Sequence, residues 1–306
     1  MSDMQDRSEA TLKGRLVLFG KGMAMGVADS VPGVSGGTIA VMVGIYEELV
    51  NSLKGLNPLV LHTRWGGGPL QFWRNINGGF LLTLLLGIVT SLYMSASTVL
   101  YLLDTQYPLM MAFFAGLVFA STWFLQRQVL HWGGVEIGMA LLGAAVALVV
   151  SLANPMSGDT GLVYLFFCGM VAICAMILPG ISGAFVLILL GAYDYVLAAL
   201  RALNFPVILV FASGCAIGLL SFSHLLSWTF FHYRQQTYAF LTGMLAASVL
   251  VLWPWKQTVD GEIIFLSPAG FEATTGQPAQ LLTVLLLVVV GYAVVAIFER
   301  ITNRKL

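Results

Sequence analysis

Residues 32–38 read Pro-Gly-Val-Ser-Gly-Gly-Thr, and residues 179–185 read Pro-Gly-Ile-Ser-Gly-Ala-Phe. Both stretches lie inside strongly apolar sequence, and the match continues at a constant offset of 147, with nine identities in 26 aligned positions. Proline disfavours helix in the residue before it, and the glycine that follows frees the turn. A helix break is costly inside hydrocarbon, so its presence in both halves indicates one site shared by the two copies.

Composition assigns the chain to the membrane. Hydrophobic residues make up 58% of the sequence, charged residues only 9%, and the mean hydropathy is +0.90. Soluble domains carry about 25% charged residues, so we expect an integral membrane protein. The formal net charge of zero gives no support for a nucleic-acid partner. Cys168, Cys174 and Cys215 follow no disulfide or metal spacing, so free thiols are expected and no metal site is predicted.

The apolar segments are long enough to cross or enter a bilayer, and they lack the alternation of barrel strands. We therefore predict an all-α integral membrane protein. The predicted segments are 15–31, 34–53, 79–103, 107–126, 135–153, 161–178, 181–200, 206–230, 237–255 and 280–298.

These ten segments divide into two sets of five. Residues 112–121 resemble 239–248 at an offset of 127, and Gly143 corresponds to Gly291 at an offset of 148. An odd number of segments in each half gives the halves opposite orientations, an arrangement typical of secondary transporters. The predicted units are a polar cytoplasmic N-terminus (1–14), a first membrane repeat (15–153), an outside linker (154–160), a second, inverted repeat (161–298) and a cytoplasmic C-terminus (299–306). The first two segments of each repeat are predicted to form a re-entrant helical hairpin, with a fully spanning hairpin as the alternative.

The charges support this orientation. With the N-terminus in the cytoplasm, eleven of the fourteen basic residues lie inside, Lys21 lies within the first predicted segment, and only Arg201 and Lys256 lie outside, as the positive-inside rule requires. The eleven are Arg7, Lys13, Arg15, Lys54, Arg64, Arg74, Arg127, Arg234, Arg300, Arg304 and Lys305.

The repeated motif has the chemistry of an anion site. Ser35 and Ser182 stand where helix N-caps belong, and a helix N-terminus offers unpaired N–H groups to a phosphate or carboxylate. Glycine lets a ligand approach the backbone, and the hydroxyls add donors; the alternative is that small residues only allow tight helix packing. The predicted binding residues are Ser35, Gly36, Gly37, Thr38, Ser182 and Gly183, and the predicted helix-breaking residues are Pro32, Gly33, Pro179 and Gly180.

Two charged residues complete the predicted site. Asp29 lies three residues before Pro32, and an aspartate at membrane depth costs roughly 2.5 kcal/mol or more, so we predict that it couples transport to a proton or sodium ion. Its alternative role is to cap the broken helix. Arg201 is predicted to recruit an anionic head group at the outer face, or to act only as an anchor. Tyr46 and Tyr193 are predicted to be interfacial aromatic residues.

A hydrolase is the rival interpretation of the motif. Residues 33–37 fit the pattern Gly-x-Ser-x-Gly, and His224 is the histidine that the predicted segments place inside the membrane as a base for Ser35. The serine motif occurs twice, but only one histidine is available as a base. A symmetric binding site therefore explains the two copies better than a catalytic site does. We therefore predict no enzyme activity, no catalytic residues and no cofactor beyond the coupling ion.

Residues 27–40 (Val-Ala-Asp-Ser-Val-Pro-Gly-Val-Ser-Gly-Gly-Thr-Ile-Ala), together with 44–47 and 179–183, resemble the polyprenyl-phosphate (undecaprenyl-phosphate) translocase family of PopT type, formerly a domain of unknown function. The resemblance covers essentially the whole chain. It implies a flippase in the bacterial inner membrane that returns undecaprenyl phosphate to the cytoplasmic leaflet for cell-envelope synthesis. The partners would be this lipid and the bilayer, with a homo-oligomer left open. The alternatives are a secondary transporter of a small soluble anion and a structural membrane partner.

Overall fold

The computed structural model describes residues 12–29, 35–56, 68–153, 161–259 and 262–303, and these residues are mostly helical. The helices, in chain order, are α1 (Leu12–Asp29), α2 (Gly36–Met42), α3 (Tyr46–Gly55), α4 (Gly68–Asn75), α5 (Gly78–Leu125), α6 (Gly134–Leu152), α7 (Leu162–Ile177), α8 (Gly183–Leu189), α9 (Tyr193–Arg201), α10 (Phe205–His232), α11 (Arg234–Val251), α12 (Pro268–Thr275) and α13 (Leu281–Asn303). Strands β1 (Lys256–Val259) and β2 (Glu262–Phe265) form one antiparallel hairpin between α11 and α12.

Several of these helices suit a bilayer. In the described part of the chain, Thr105–Gln128, α6 and α10 are each long and apolar enough to span a membrane alone, and the bent pair α8–α9 would add a fourth span. Shorter apolar helices occupy Gly78–Met94, Leu162–Ile177 and Leu281–Ile297. The chain is therefore a multi-pass membrane protein with an all-helical membrane part, as the composition predicts.

One predicted connection is a kink instead of a loop. Segments 79–103 and 107–126 are two helices that meet without a loop at the non-helical backbone of Gln106 (φ −136°), two residues before Pro108, and α5 denotes both of them. Proline has no N–H to give to the helical ladder and disfavours helix in the residue before it, so one helix ends there and the next begins.

Predicted segments 34–53 and 181–200 are not continuous helices. Gly44 (φ 72°) separates α2 from α3, and Gly191 (φ 63°) separates α8 from α9, which meet at 109°. Both glycines adopt left-handed backbone that residues with a Cβ atom rarely take. Each copy of the motif is thus followed by a second break, and the two breaks are again 147 residues apart.

The connection between the predicted segments 237–255 and 280–298 contains regular structure. It contains the β-hairpin and α12. Its two ends are joined by a hydrogen bond that Trp255 Nε1 donates to the carbonyl oxygen of Ala279 at 3.0 Å. Lys256 Nζ donates to the carbonyl of Val251 at 2.7 Å and lies 5.7 Å from the ring centre of Tyr107. Burial disfavours the charged ammonium and lowers the pKa of Lys256 to about 8.

Helices touch at glycines, and these contacts come in matched pairs. A Cβ atom on Gly143 in α6 would overlap the carbonyl oxygen of Phe240 in α11, and one on Gly291 in α13 would overlap the carbonyl oxygen of Phe113 in α5. The first contact maps onto the second by the sequence offsets of 148 and 127. The same offsets relate the contact of Gly116 on Val288 to that of Gly243 on Ala140. Offsets of 147 and 127 likewise relate Gly22 on Leu84 to Gly169 on Phe211, and Gly87 on Phe19 to Gly214 on Phe166.

We expect Gly143→Ala to destabilise the protein, because the added methyl group would force the backbones of α6 and α11 apart. Overpacking of this kind costs about 1–3 kcal/mol. The matched control is Gly138→Ala in the same helix, where a Cβ would have nothing within 4 Å. The measurement is the thermal unfolding midpoint in detergent.

The control should unfold at the wild-type temperature or slightly above it, because alanine favours helix over glycine by up to about 1 kcal/mol. Equal midpoints for Gly143→Ala and the wild type would contradict the close contact between α6 and α11.

Candidate functional site

The repeated motif ends one helix and starts another in both halves. Helix α1 ends at Asp29, and α2 starts after Ser35, whose Oγ accepts a hydrogen bond from the Gly37 amide at 3.1 Å. Helix α7 ends at Ile177, and α8 starts after Ser182, whose Oγ accepts from the Phe185 amide at 3.5 Å. Both predicted N-caps are therefore confirmed.

The helix-breaking residues divide between described and masked sequence. Pro179 and Gly180 form the turn between α7 and α8, and Gly180 adopts a φ of 91°. Pro32 and Gly33 lie outside the described residues.

The two motifs are in direct contact. The Ser35 hydroxyl lies 3.2 Å from the carbonyl oxygen of Met176 and 3.4 Å from that of Leu178, both of which accept from it. The Gly180 amide donates to Oγ1 of Thr38 at 2.9 Å. Ser35 and Thr38 are each 1% exposed, so these bonds are shielded from solvent. The first motif thereby satisfies backbone groups that the second helix break leaves without helical partners.

The glycines of the first motif are required by these neighbours. A Cβ on Gly37 would lie 2.6 Å from the carbonyl oxygen of Ile177, and a Cβ on Gly36 would overlap the Asp29 carboxylate. In the second motif, a Cβ on Gly183 would lie 2.7 Å from the carbonyl oxygen of Ala172. In this conformation, protein atoms occupy the space beside these glycines where a ligand is expected to bind.

Asp29 closes the start of α2. Its Oδ1 accepts a hydrogen bond from the Gly36 amide at 2.6 Å, and the side chain is half-buried. A carboxylate at a helix N-terminus is also favoured by the helix dipole. The geometry is that of the capping alternative, and the coupling role stays a prediction.

Tyr46 is not an interfacial residue, which corrects the sequence prediction. Its side chain is 4% exposed, and its hydroxyl donates to the carbonyl oxygen of Ile177 at 3.1 Å. The physical reason is the second break at Gly44, which turns α3 so that Tyr46 faces the break after α7. Tyr193, the equivalent residue, is 36% exposed.

Arg201 and His224 lie away from the contact between the motifs. Arg201 ends α9 and is exposed, and within the described residues it forms no ion pair. His224 is exposed on α10, and the described hydrogen bonds of the Ser35 hydroxyl go to main-chain groups instead of to an imidazole. Among the described residues, Ser35 and His224 therefore do not form the pair of nucleophile and base that a hydrolase needs.

A second polar cluster, not predicted from the sequence, joins α3 to α10 and α11. Glu47 Oε1 forms an ion pair with Arg234 at 2.9 Å and also accepts from the hydroxyl of Tyr238. One helical turn further on, the Ser227 hydroxyl accepts from Lys54 Nζ at 3.2 Å and donates to Oδ1 of Asn51 at 2.8 Å. We call this group the Glu47 cluster; its members are Glu47, Asn51, Lys54, Ser227, Arg234 and Tyr238.

We expect Thr38→Val to destabilise the protein by about 1–3 kcal/mol, because it leaves the buried Gly180 amide without an acceptor. Thr38→Ser keeps the hydroxyl and should retain most of the stability. Thr242→Val is the matched control, since the Thr242 hydroxyl only donates to the Tyr238 carbonyl within its own helix.

The measurement is the free energy of unfolding, or the thermal midpoint, in detergent. The bond between the motifs would be refuted if Thr38→Val and Thr242→Val lost the same stability.

Sequence comparisons place this chain among known proteins. Residues 25–264 match the family model described as undecaprenyl phosphate translocase-like. The chain is similar to a polyprenyl-phosphate transporter of Vibrio cholerae serotype O1, with 40% identity over 295 residues that cover 93% of this chain and 96% of the relative. It is also similar to a polyprenyl-phosphate transporter of Staphylococcus aureus, with 30% identity over 258 residues that cover 78% and 86%. No solved structure matches the chain.

Proposed function

The chain belongs to the undecaprenyl phosphate translocase-like family, and on this basis we propose that it moves undecaprenyl phosphate from the outer to the cytoplasmic leaflet of the bacterial inner membrane. The lipid carrier would thereby be recycled for cell-envelope polysaccharide synthesis. The names of the family and of its relatives describe a transporter and not an enzyme, in agreement with the sequence prediction. The proposal rests on these relatives for the lipid and on the contact between the motifs for the site.

An inverted repeat would give such a protein its two access states. The matched glycine contacts support it, because α6 packs on α11 in the same way as α13 packs on the second part of α5. Each half thus packs one helix on the other half in the same way, which is the relation that a two-fold axis between the halves produces. With five predicted segments in each half, that axis would lie in the membrane plane.

The side chains at helix ends support the proposed orientation. Lys54 and Arg234 both belong to the Glu47 cluster, at the end of the molecule that would face the cytoplasm. Lys256 lies against Tyr107, at the end that would face outside. Both termini would be cytoplasmic, and the motif hairpins would be re-entrant, with tips that meet inside the bilayer.

We place the phosphate head group between the two motifs. Ser35, Thr38 and Ser182 supply hydroxyls, and the amides after Gly36 and Gly183 supply N–H groups, while Arg201 would recruit the head group at the outer face. The hydroxyls of Ser35 and Thr38 bond across the two breaks in this conformation. A phosphate would therefore bind by replacing bonds between the motifs, which couples binding to their separation. The prenyl tail would stay in lipid beside the apolar helices.

Transport of undecaprenyl phosphate in liposomes tests this function. We expect the wild type to transfer the lipid between leaflets and the Ser35→Ala/Ser182→Ala variant to do so at least about tenfold more slowly. A hydrogen bond to a charged group contributes about 1.5–3 kcal/mol, and 1.4 kcal/mol corresponds to a factor of ten. Ser213→Ala is the control, since Ser213 is exposed on α10 and donates to the Val210 carbonyl of its own helix.

Inorganic phosphate is the second substrate to be tested. If inorganic phosphate crosses the membrane and undecaprenyl phosphate does not, the protein carries a small soluble anion and the lipid assignment is wrong. A wild-type rate for the double serine variant would remove the motifs from the binding site.

The variant Asp29→Asn distinguishes the two roles predicted for Asp29, ion coupling and helix capping. Asparagine caps helices about as well as aspartate, so the bond to the Gly36 amide should persist, but it cannot take up a proton or bind sodium as a carboxylate does. We expect transport by this variant to lose its dependence on an imposed proton or sodium gradient. Glu272→Gln is the control, because the Glu272 carboxylate likewise accepts from a backbone amide, that of Ala279, at 2.8 Å in the loop before α13.

The coupling role of Asp29 is wrong if its asparagine variant responds to the gradient as the wild type and Glu272→Gln do.

A further inference from the structure

The two halves are equivalent in sequence, but their half-helices α3 and α9 pack differently. Helix α3 lies on α10 of the other half and is held there by the Glu47 cluster. The equivalent contact would join α9 to the first part of α5. Among the described residues, α9 instead packs on α8 and α10 of its own half.

Side chains at the start of α3 are also less exposed than their counterparts on α9. Tyr46 at the start of α3 is 4% exposed, whereas its counterpart Tyr193 is 36% exposed. Glu47 is half-buried in an ion pair, whereas its counterpart Asp194 is exposed and forms no ion pair within the described part of the chain. Among the described side chains, contacts across the two halves therefore close one end of the molecule, and the equivalent contacts are not found at the other end.

Aromatic rings complete the closed end. Tyr46 packs edge-on against Phe230 with ring centres 6.0 Å apart, and Phe230 packs in the same way against Tyr238 at 5.4 Å. The Tyr238 hydroxyl donates a hydrogen bond to Glu47, so this set of contacts begins and ends on α3. A chain of side-chain contacts thus connects Tyr46, which binds the break after α7, to Glu47 and Arg234.

We propose that the Glu47 cluster is a gate that closes the site at the Lys54 end, and that this structure is the state open at the Arg201 end. Transport would exchange the two packings, so that α9 packs on α5 when α3 leaves α10. This inference rests on the two-fold relation of the proposed function and adds to it the residues of the gate.

The gate is connected directly to the motifs. The Tyr46 hydroxyl binds the carbonyl of Ile177, while the Ser35 hydroxyl binds the carbonyls on either side, those of Met176 and Leu178. Helix α3 cannot move away from α10 as a rigid body without pulling on this break. Opening of the gate and separation of the motifs are therefore one movement, which is the property that alternating access requires.

Paired cysteines test whether the two packings exclude each other. Asn51 and Ser227 are hydrogen-bonded across the gate, and their counterparts at offsets of 147 and 127 are Ala198 and Leu100. In a background in which Cys168, Cys174 and Cys215 are serine, we expect Asn51→Cys/Ser227→Cys to be joined readily by a short thiol cross-linker in detergent without substrate. Ala198→Cys/Leu100→Cys should be joined only in molecules whose gate is open.

The four-cysteine variant decides between the outcomes. The gate predicts that each molecule carries one of the two cross-links but not both, and that the link between positions 51 and 227 stops transport. Molecules that carry both links, or linked molecules that still transport, would overturn it.

Charge changes at residues that are not themselves cross-linked provide a second test. Glu47→Gln and Arg234→Gln should each lower the yield of the link between positions 51 and 227 and raise that of the link between 198 and 100. The exchanged pair Glu47→Arg/Arg234→Glu should restore the yields at least in part. Unchanged yields in both single variants would overturn the role of this ion pair.

The cross-linking measurements need no substrate, so they separate this inference from the proposed function. If the links exclude each other but undecaprenyl phosphate does not move, the gate stands and the substrate assignment falls. If undecaprenyl phosphate moves and both links form in the same molecule, the function stands and the gate falls.

Discussion

Polar backbone groups inside hydrocarbon need hydrogen-bonding partners, and this requirement governs the structure around the two motifs. The break after α7 leaves the carbonyls of residues 176–178 and the amide of Gly180 without partners in a helix. Ser35, Tyr46 and Thr38 from the other half bind these groups. The second half could not place this break in an apolar environment alone at the same cost, so side chains of the first half stabilise the break in the second.

Much of the fold follows from the sequence because apolar segments and repeats are local signals. The breaks, the serine caps and most segment boundaries are recovered, and the offsets of 127, 147 and 148 relate the glycine contacts seen in the structure to one another. The breaks at Gly44 and Gly191 were missed, although the identity of these glycines at an offset of 147 was visible. A glycine in a helical pattern does not by itself specify a left-handed backbone; that depends on what the next turn packs against.

The site was predicted less completely, because its residues have two chemically similar roles. A serine hydroxyl at a helix break suits a phosphate and a carbonyl equally well, and only the structure places Met176 and Leu178 within its reach. Asp29 likewise has the chemistry of an ion site and the position of a cap. The Glu47 cluster gave no signal, since Glu47 and Arg234 are 187 residues apart and each alone is an ordinary charge near the end of an apolar segment.

The strength of the Glu47 cluster suits a contact that forms and breaks. The side chains of Arg234 and Glu47 are 62% and 36% exposed, and ion pairs with such access to water contribute only about 0.2–1 kcal/mol. A transporter needs two states within a few kcal/mol of each other, since a strongly favoured state would trap it. A fully buried pair would cost several kcal/mol when broken, because each charge would lose its partner in an apolar environment. Partial exposure lets water replace each partner as the pair separates, so closure can be specific in geometry and still reversible.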